Sequence, residues 1–103
     1  MRIKGFPLLK KDIETMAILI DDPIWPFRGE HWAHLVSDQS YEELHQFAGS
    51  IGIPRDTFQG DHYDIPERLW RTAVDEGAVP TDPRVLVKRL REAGLRKRKS
   101  ANQ

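Results

Sequence analysis

Between Phe58 and Glu67 the chain reads Phe-Gln-Gly-Asp-His-Tyr-Asp-Ile-Pro-Glu, which places three titratable side chains, Asp61, His62 and Asp64, close together beside a glycine. His62 and Asp64 are two positions apart, so on an extended segment they point the same way. Imidazole and carboxylate together suit two jobs: holding a divalent metal, or moving protons near neutral pH. A second pairing lies in Trp32-Ala33-His34-Leu35-Val36-Ser37-Asp38, where His34 and Asp38 share one face of an extended segment. Asp21 closes the apolar run Met16-Ala17-Ile18-Leu19-Ile20 and adds a carboxylate at a strand end. The candidate set is therefore His34, His62 and Asp64 as acid–base groups, with Asp21, Asp38, His34 and His62 as ligands of a divalent metal. The spacing H-x-D is not selective, and nothing in the chain matches H-E-x-x-H.

Each of these residues also has an ordinary structural reading. Asp64 with Glu67 matches a capping box at a helix start. His34 fits a half-buried histidine bonded to a carbonyl, and His45 fits packing beside a helix stripe. Asp21 and Asp22 precede Pro23 and favour a turn, and Asp38 serves to end a strand. Trp25, Phe27, Trp32, Tyr63 and Trp70 read as core or flap packing. It is the joint occurrence of these groups that points to a site.

The elements that must position them follow from local pattern. A buried strand is predicted over 16–21. The segment 22–31, with Pro23, Pro26 and Gly29 between Trp25 and Phe27, reads as an irregular flap folded over the body. A second strand covers 32–38. Ser40 and Glu43 form a capping box for a helix whose apolar stripe is Tyr41, Leu44, Ala48 and Ile51, ending at Gly52 before Pro54. A third strand is expected over 57–63. Asp64 and Glu67 then launch a second helix through Glu76, with Leu69, Trp70, Ala73 and Val74 inward and Gly77 as its stop. Ala78-Val79-Pro80 is at most a short edge strand. Thr81 or Asp82 caps a last helix with Pro83 in its first turn, Leu86, Val87, Leu90 and Ala93 buried, and Gly94 at its end.

This order, β-β-α-β-α-(β)-α, implies an α+β or α/β fold: a small three- to four-stranded sheet packed with three helices. The helix between strands two and three permits a parallel crossover, which would bring Asp38 and His62–Asp64 to one sheet edge. The short link between strands one and two leaves their pairing open. If antiparallel, it sends Asp21, Asp22 and His31 to the opposite edge, with His34 in between. The expectation is a single cleft near the carboxyl ends of the strands, with two half-sites as the alternative.

Composition sets the bounds. At 103 residues, 39% hydrophobic and 31% charged, the chain is one globular domain over 16–95, with 1–15 as a loosely attached extension and 96–103 as a disordered basic tail. It has no cysteine, which excludes disulfides and thiolate metal sites. Its longest apolar run is too short for a membrane span or a signal-peptide core, so a soluble, cytoplasmic protein is expected. The zero net charge hides a polarity: residues 84–103 hold 8 basic and 1 acidic side chains, and the rest of the chain is correspondingly acidic. Arg84, Lys88 and Arg91 share one side of the last helix and, with the tail, form a candidate surface for a nucleotide or nucleic acid. A solvated face is its plain reading.

The combined spacing of Ala17-Ile18-Leu19-Ile20-Asp21, Pro26, Gly29, His34-Leu35-Val36-Ser37-Asp38, Glu43-Leu44-His45 and His62-Tyr63-Asp64 resembles a small bacterial and phage family catalogued as domain of unknown function 4031, over about Met16 to Leu95. In that family the domain stands alone or, in some longer proteins, beside an HD-type phosphohydrolase domain. By that association, the resemblance implies phosphoester or nucleotide chemistry, but it brings no activity and no site residue. Three functions are therefore carried forward. The first is a phosphoester- or nucleotide-directed hydrolase using the His/Asp site, either with a divalent metal as cofactor or by proton transfer without one. The second is a non-catalytic nucleotide- or nucleic-acid-binding module using Arg84, Lys88, Arg91 and the tail. The third is a subunit that docks on a partner enzyme such as an HD-type phosphohydrolase.

Overall fold

A computed structural model describes residues 17–96. The expected extension 1–15, Met16 and the tail beyond Arg96 lie outside the described residues. Over the described residues the fold is α+β: a mixed five-stranded sheet packed with three helices. In chain order the elements are β1 (Ile18–Ile20), β2 (Trp25–Phe27), β3 (Glu30–Ser37), α1 (Tyr41–Ser50), a 3₁₀ turn (Arg55–Thr57), β4 (Tyr63–Pro66), α2 (Glu67–Asp75), β5 (Val79–Pro80) and α3 (Pro83–Glu92).

β3 is the organising strand. β1 and β2 both pair with it antiparallel, Ile20 opposite Leu35 and Trp25 opposite Trp32. β4 pairs with it antiparallel too, from Trp32–Pro66 to Leu35–Tyr63. Since β4 meets residues that β1 or β2 also meets, it must lie along the other edge of β3. β5 extends the sheet beyond β1 in parallel. The expected parallel crossover between the strands carrying Asp38 and His62 is thus corrected: these strands run antiparallel, and Asp64 faces His34 across the ladder instead of joining Asp38.

The segment 22–31 is also corrected. It holds β2 and a tight hairpin, not an irregular flap. The central residues of the turn, Arg28 (φ 53°) and Gly29 (φ 79°), both have positive φ, the backbone that matches the twist of a two-residue hairpin. Pro26 is accommodated because, among the described residues, β2 has β3 as its one sheet neighbour, and an edge strand tolerates a missing N–H. The third strand begins where it was expected to end, at Tyr63. It runs directly into α2, whose N-cap is Pro66 with no side-chain cap. Asp64 is therefore a strand residue and not the expected helix cap.

Other local signals hold. Ser40 caps α1 by accepting from the Glu43 N–H at 3.0 Å, although the Glu43 carboxylate accepts from Ser37 Oγ in place of closing the box. Asp82 caps α3 by accepting from the Arg84 N–H at 2.8 Å. Among the described residues, no helix is long and apolar enough to cross a membrane.

Side chains alternate across the sheet, so β3 sorts its residues onto two faces. Ala33 and Leu35 join Ile18, Ile20, Tyr63 and Ile65 under α1 and α2, against Leu44, Ala48 and Ala73. Val36 and Leu19 lie on the other face and pack on Leu86 and Leu90 of α3. One short helix cannot roof that whole face. It covers the Leu19–Val36 end and leaves Trp32, His34 and Asp64 beside open space.

Candidate functional site

The uncovered half of the second sheet face carries the polar groups. His34 and Asp64 are register partners on β3 and β4, so their side chains stand side by side on the same face. His62 lies two residues before Asp64 and presents to the same face. The His34 and His62 rings lie 5.1 Å apart, edge to face. One ligating atom from each of His34, His62 and Asp64 lies within 4.8 Å of the other two, and all three side chains are half-buried.

A carboxylate stands behind each imidazole. Between β1 and β2 the chain makes a bulge opposite β3, since Ile20 faces Leu35 and Trp25 faces Trp32. The extra residues turn Asp21 back toward the sheet. Its backbone N–H donates to the His34 carbonyl at 3.2 Å. Its carboxylate takes the place of a strand partner, accepting from the His34 N–H at 2.6 Å and meeting His34 Nδ1 at 2.8 Å. Trp70 Nε1 fixes the bulge by donating to the Asp21 carbonyl at 2.8 Å. Asp21 is buried, with 1% of its surface exposed, and spends its acceptor capacity on His34.

The second carboxylate comes from a tight turn closed by the Gln59 N–H donating to the His62 carbonyl at 2.8 Å. Gly60 occupies its first central position with φ 94°, a conformation that costs glycine little. The turn folds Asp61 Oδ1 onto His62 Nδ1 at 2.8 Å. Arg96 Nε holds the other oxygen of Asp61 at 3.0 Å. In both histidines Nδ1 is thus committed to a carboxylate, which leaves Nε2 for a ligand or a transferable proton. His62 Nε2 stands 3.3 Å from Asp64 Oδ1.

Electrostatics follow this wiring. Burial works against the charged form of His62, but the hydrogen bonds and negative charges of Asp64 and Asp61 outweigh it, and its pKa is raised. Asp64 is held below the usual carboxylate range, first by its hydrogen bond with His62, then by the charges of His62 and His34, against the opposing effect of burial. When His62 is protonated, it and Asp64 form an ion pair.

Two hollows meet here. One, of about 780 Å³, runs under the β2–β3 hairpin past Trp25, Trp32, His34, His62 and Asp64. The other, of about 440 Å³, runs under α3 past Arg84, Arg91 and Arg96 and also reaches His34 and His62.

Of the predicted residues, the fold brings together His34, His62 and Asp64, with Asp21 behind His34. It separates Asp38, which lies at the far end of β3, accepts from the Ala17 N–H at 3.0 Å and is ion-paired with Arg89. As a ligand alongside His34 and His62, Asp38 is corrected: the antiparallel ladder sends it to the other end of the strand. His31 is exposed and 4.0 Å from Glu67. Arg84 and Arg91 border the second hollow, whereas Lys88 pairs with Glu92 at 3.7 Å along the same helix and does not line it. His45 Nδ1 lies 2.8 Å from the Tyr63 hydroxyl, its ring against Phe58. Sequence reasoning left Asp61 and Arg96 out of the site. Asp61 adjoins His62, a signal in plain view, whereas Arg96 sits in a run of basic residues and its contact is 35 positions away.

No curated protein and no solved structure matches the chain. Residues 18–93, spanning every element from β1 to α3, match the family described as Protein of unknown function (DUF4031), and the chain belongs to that family.

Proposed function

We propose that the protein is a divalent-metal-dependent hydrolase of phosphoesters, with His34, His62 and Asp64 as the metal ligands. The observation that carries this reading is the convergence of two imidazoles and a carboxylate within 4.8 Å, each imidazole backed at Nδ1 by an aspartate. Three protein ligands leave coordination positions open, which is how catalytic sites differ from closed structural ones. A carboxylate on the far ring nitrogen is the usual partner of a ligating histidine, fixing its orientation and raising its basicity. Two nitrogen donors out of three favour zinc or another first-row ion over magnesium or calcium.

Such an ion supplies Lewis acidity toward a phosphoryl oxygen and a lowered pKa for bound water. The remaining work falls to the chain. Asp21 and Asp61 hold the rings in place, and Arg84 and Arg91 sit where they can take up the negative charge of a phosphoryl group. Arg84 and Arg91 of the basic face of α3, which as a sequence feature suggested a separate nucleic-acid module, line a hollow that reaches the same histidines and are read here as the anion-binding wall of one site.

The test is metal content joined to turnover. Protein stripped with chelator and reloaded with Zn²⁺ or Mn²⁺ is expected to retain one ion per chain and to hydrolyse a nitrophenyl phosphodiester. His34→Ala, His62→Ala and Asp64→Ala are each expected to lose both properties, while Asp38→Ala keeps the ion. Stoichiometric loading that survives all three substitutions would overturn the reading.

A further inference from the structure

The two hollows differ in chemistry, and their meeting point is where a bond would be broken. The hairpin side presents Trp25, Phe27 and Trp32. Trp25 is 43% exposed and Phe27 60% exposed, an unusual outlay of aromatic surface beside a polar cluster. The Trp25 ring lies 5.3 Å from that of His34, tilted by 56°, so one side of the indole borders the site and the rest is open. Trp32 is anchored by Nε1 donating to the Phe27 carbonyl at 2.8 Å, which fixes the hairpin wall.

The α3 side presents cations. Asp61, which lines this hollow, is already held by His62 and Arg96, and Asp21 by His34. Arg84 and Arg91 are exposed and have no carboxylate partner among the described residues. The arginines of the hairpin side are differently engaged: Arg68 pairs with Glu30 at 3.5 Å, and the Arg28 guanidinium lies over the Phe27 ring at 5.1 Å. Uncommitted positive charge therefore collects on the α3 side and aromatic surface on the hairpin side. Trp25, His34 and His62 line both hollows.

We infer that the ligand is a nucleoside phosphate unit, its base against Trp25 and Phe27 and its phosphate at Arg84 and Arg91. Aromatic faces accept any base by stacking, and guanidinium groups suit phosphate oxygens. A ligand with only one of these parts leaves one wall idle. The sugar and its ester then fall between the walls, at His34, His62 and Asp64. Only this last placement rests on the hydrolase reading, because the two walls exist without the metal.

The experiment is a titration of the full chain in chelator, followed by tryptophan fluorescence, with AMP, adenosine, ribose 5-phosphate and a short oligoadenylate as probes. Working without metal keeps the outcome separate from the hydrolase reading: nucleotide binding in chelator by a protein that also fails to retain Zn²⁺ or Mn²⁺ on reloading would sustain this inference and sink that one. AMP is expected to bind about tenfold or more tighter than adenosine or ribose 5-phosphate. Trp25→Leu should remove the advantage over ribose 5-phosphate, with Phe27→Ser as the second variant should the first not fold by circular dichroism. The double variant Arg84→Ala, Arg91→Ala should remove the advantage over adenosine and flatten the salt dependence. Oligoadenylate binding tighter than AMP assigns the unit to a strand, and equal binding assigns it to a free nucleotide. AMP binding no better than ribose 5-phosphate, or undiminished discrimination in folded aromatic variants, overturns the inference.

Discussion

Asp21 is buried at the bend between β1 and β2, and both of its oxygens face His34. Its replacement separates orientation from ligation. Asp21→Asn keeps one acceptor but supplies a neutral amide where an anion fixed the ring. It is expected to weaken Zn²⁺ binding by roughly 10–100-fold, read by competition titration, while the fold persists. Asp21→Ala also leaves the His34 N–H without an acceptor and should cost about 1–3 kcal/mol in urea unfolding. The His62–Asp64 pair has its own pH signature. His62 has a raised pKa, so its contribution to stability is complete below the ordinary histidine range and is lost as pH rises through the raised value. Asp64 has a lowered pKa, so its contribution is present above the ordinary carboxylate range and is lost as pH falls through the lowered value. The pair therefore stabilises the metal-free protein most between about pH 4 and pH 6.5. Metal bound at the proposed site would displace the proton between His62 Nε2 and Asp64. Apparent Zn²⁺ affinity should therefore climb with pH until His62 is deprotonated, and flat binding between pH 6 and pH 8 would contradict this placement of the proton.

At the scale of elements, the site exists because α3 is short and set to one end of its sheet face. Leu86 and Leu90 bury themselves against Leu19 and Val36, and the helix stops there. Leu90 is 1% exposed, so Leu90→Ala is expected to cost about 2–5 kcal/mol by chemical denaturation. The proposed metal ligands stand on β3, β4 and the turn before it, not on α3. In the folded fraction, Leu90→Ala should leave Zn²⁺ affinity near that of the parent while weakening AMP, since α3 carries the proposed phosphate wall. Equal losses for both ligands would show that helix and ligands are not separable in this way. The hairpin makes a complementary case. Its turn is legible only in the backbone, because Arg28-Gly29 adopts the twist that Asn-Gly would have advertised.

For the whole molecule, a ligand that binds only the folded state adds stability by mass action. At a Zn²⁺ concentration 100 times the dissociation constant this amounts to about 2.7 kcal/mol. In a domain of this size, that should raise the melting temperature by roughly 10–20 °C. Thermal unfolding with and without Zn²⁺ reads this directly, and Asp64→Ala should abolish the shift. The charge polarity of the chain bears on the same scale. The acidic body holds the carboxylates that back and line the site, and the basic end returns to it through Arg96, clamped on Asp61. Sequence distance and spatial distance thus disagree most where charge matters most.

Hydrophobic period and capping chemistry by themselves determined most of the residues that face inward, with Ala93 of the last helix an exception that is exposed, where the helices run, and a class of α+β or α/β, because these are properties of neighbours in the chain. They also placed His34, His62 and Asp64 at or near strands. What they could not determine was strand direction, since a helical connection is long enough for either sense and pairing energy is summed over residues far apart in sequence. That single choice put Asp64 opposite His34 and not at the sheet edge beside Asp38. It made Asp64 a strand residue facing a cleft where local rules favoured a helix cap, and it let a bulge deliver Asp21 to the back of the His34 ring. The chemistry of the candidate site was present in the residue types, and its assembly was decided by the antiparallel register on β3.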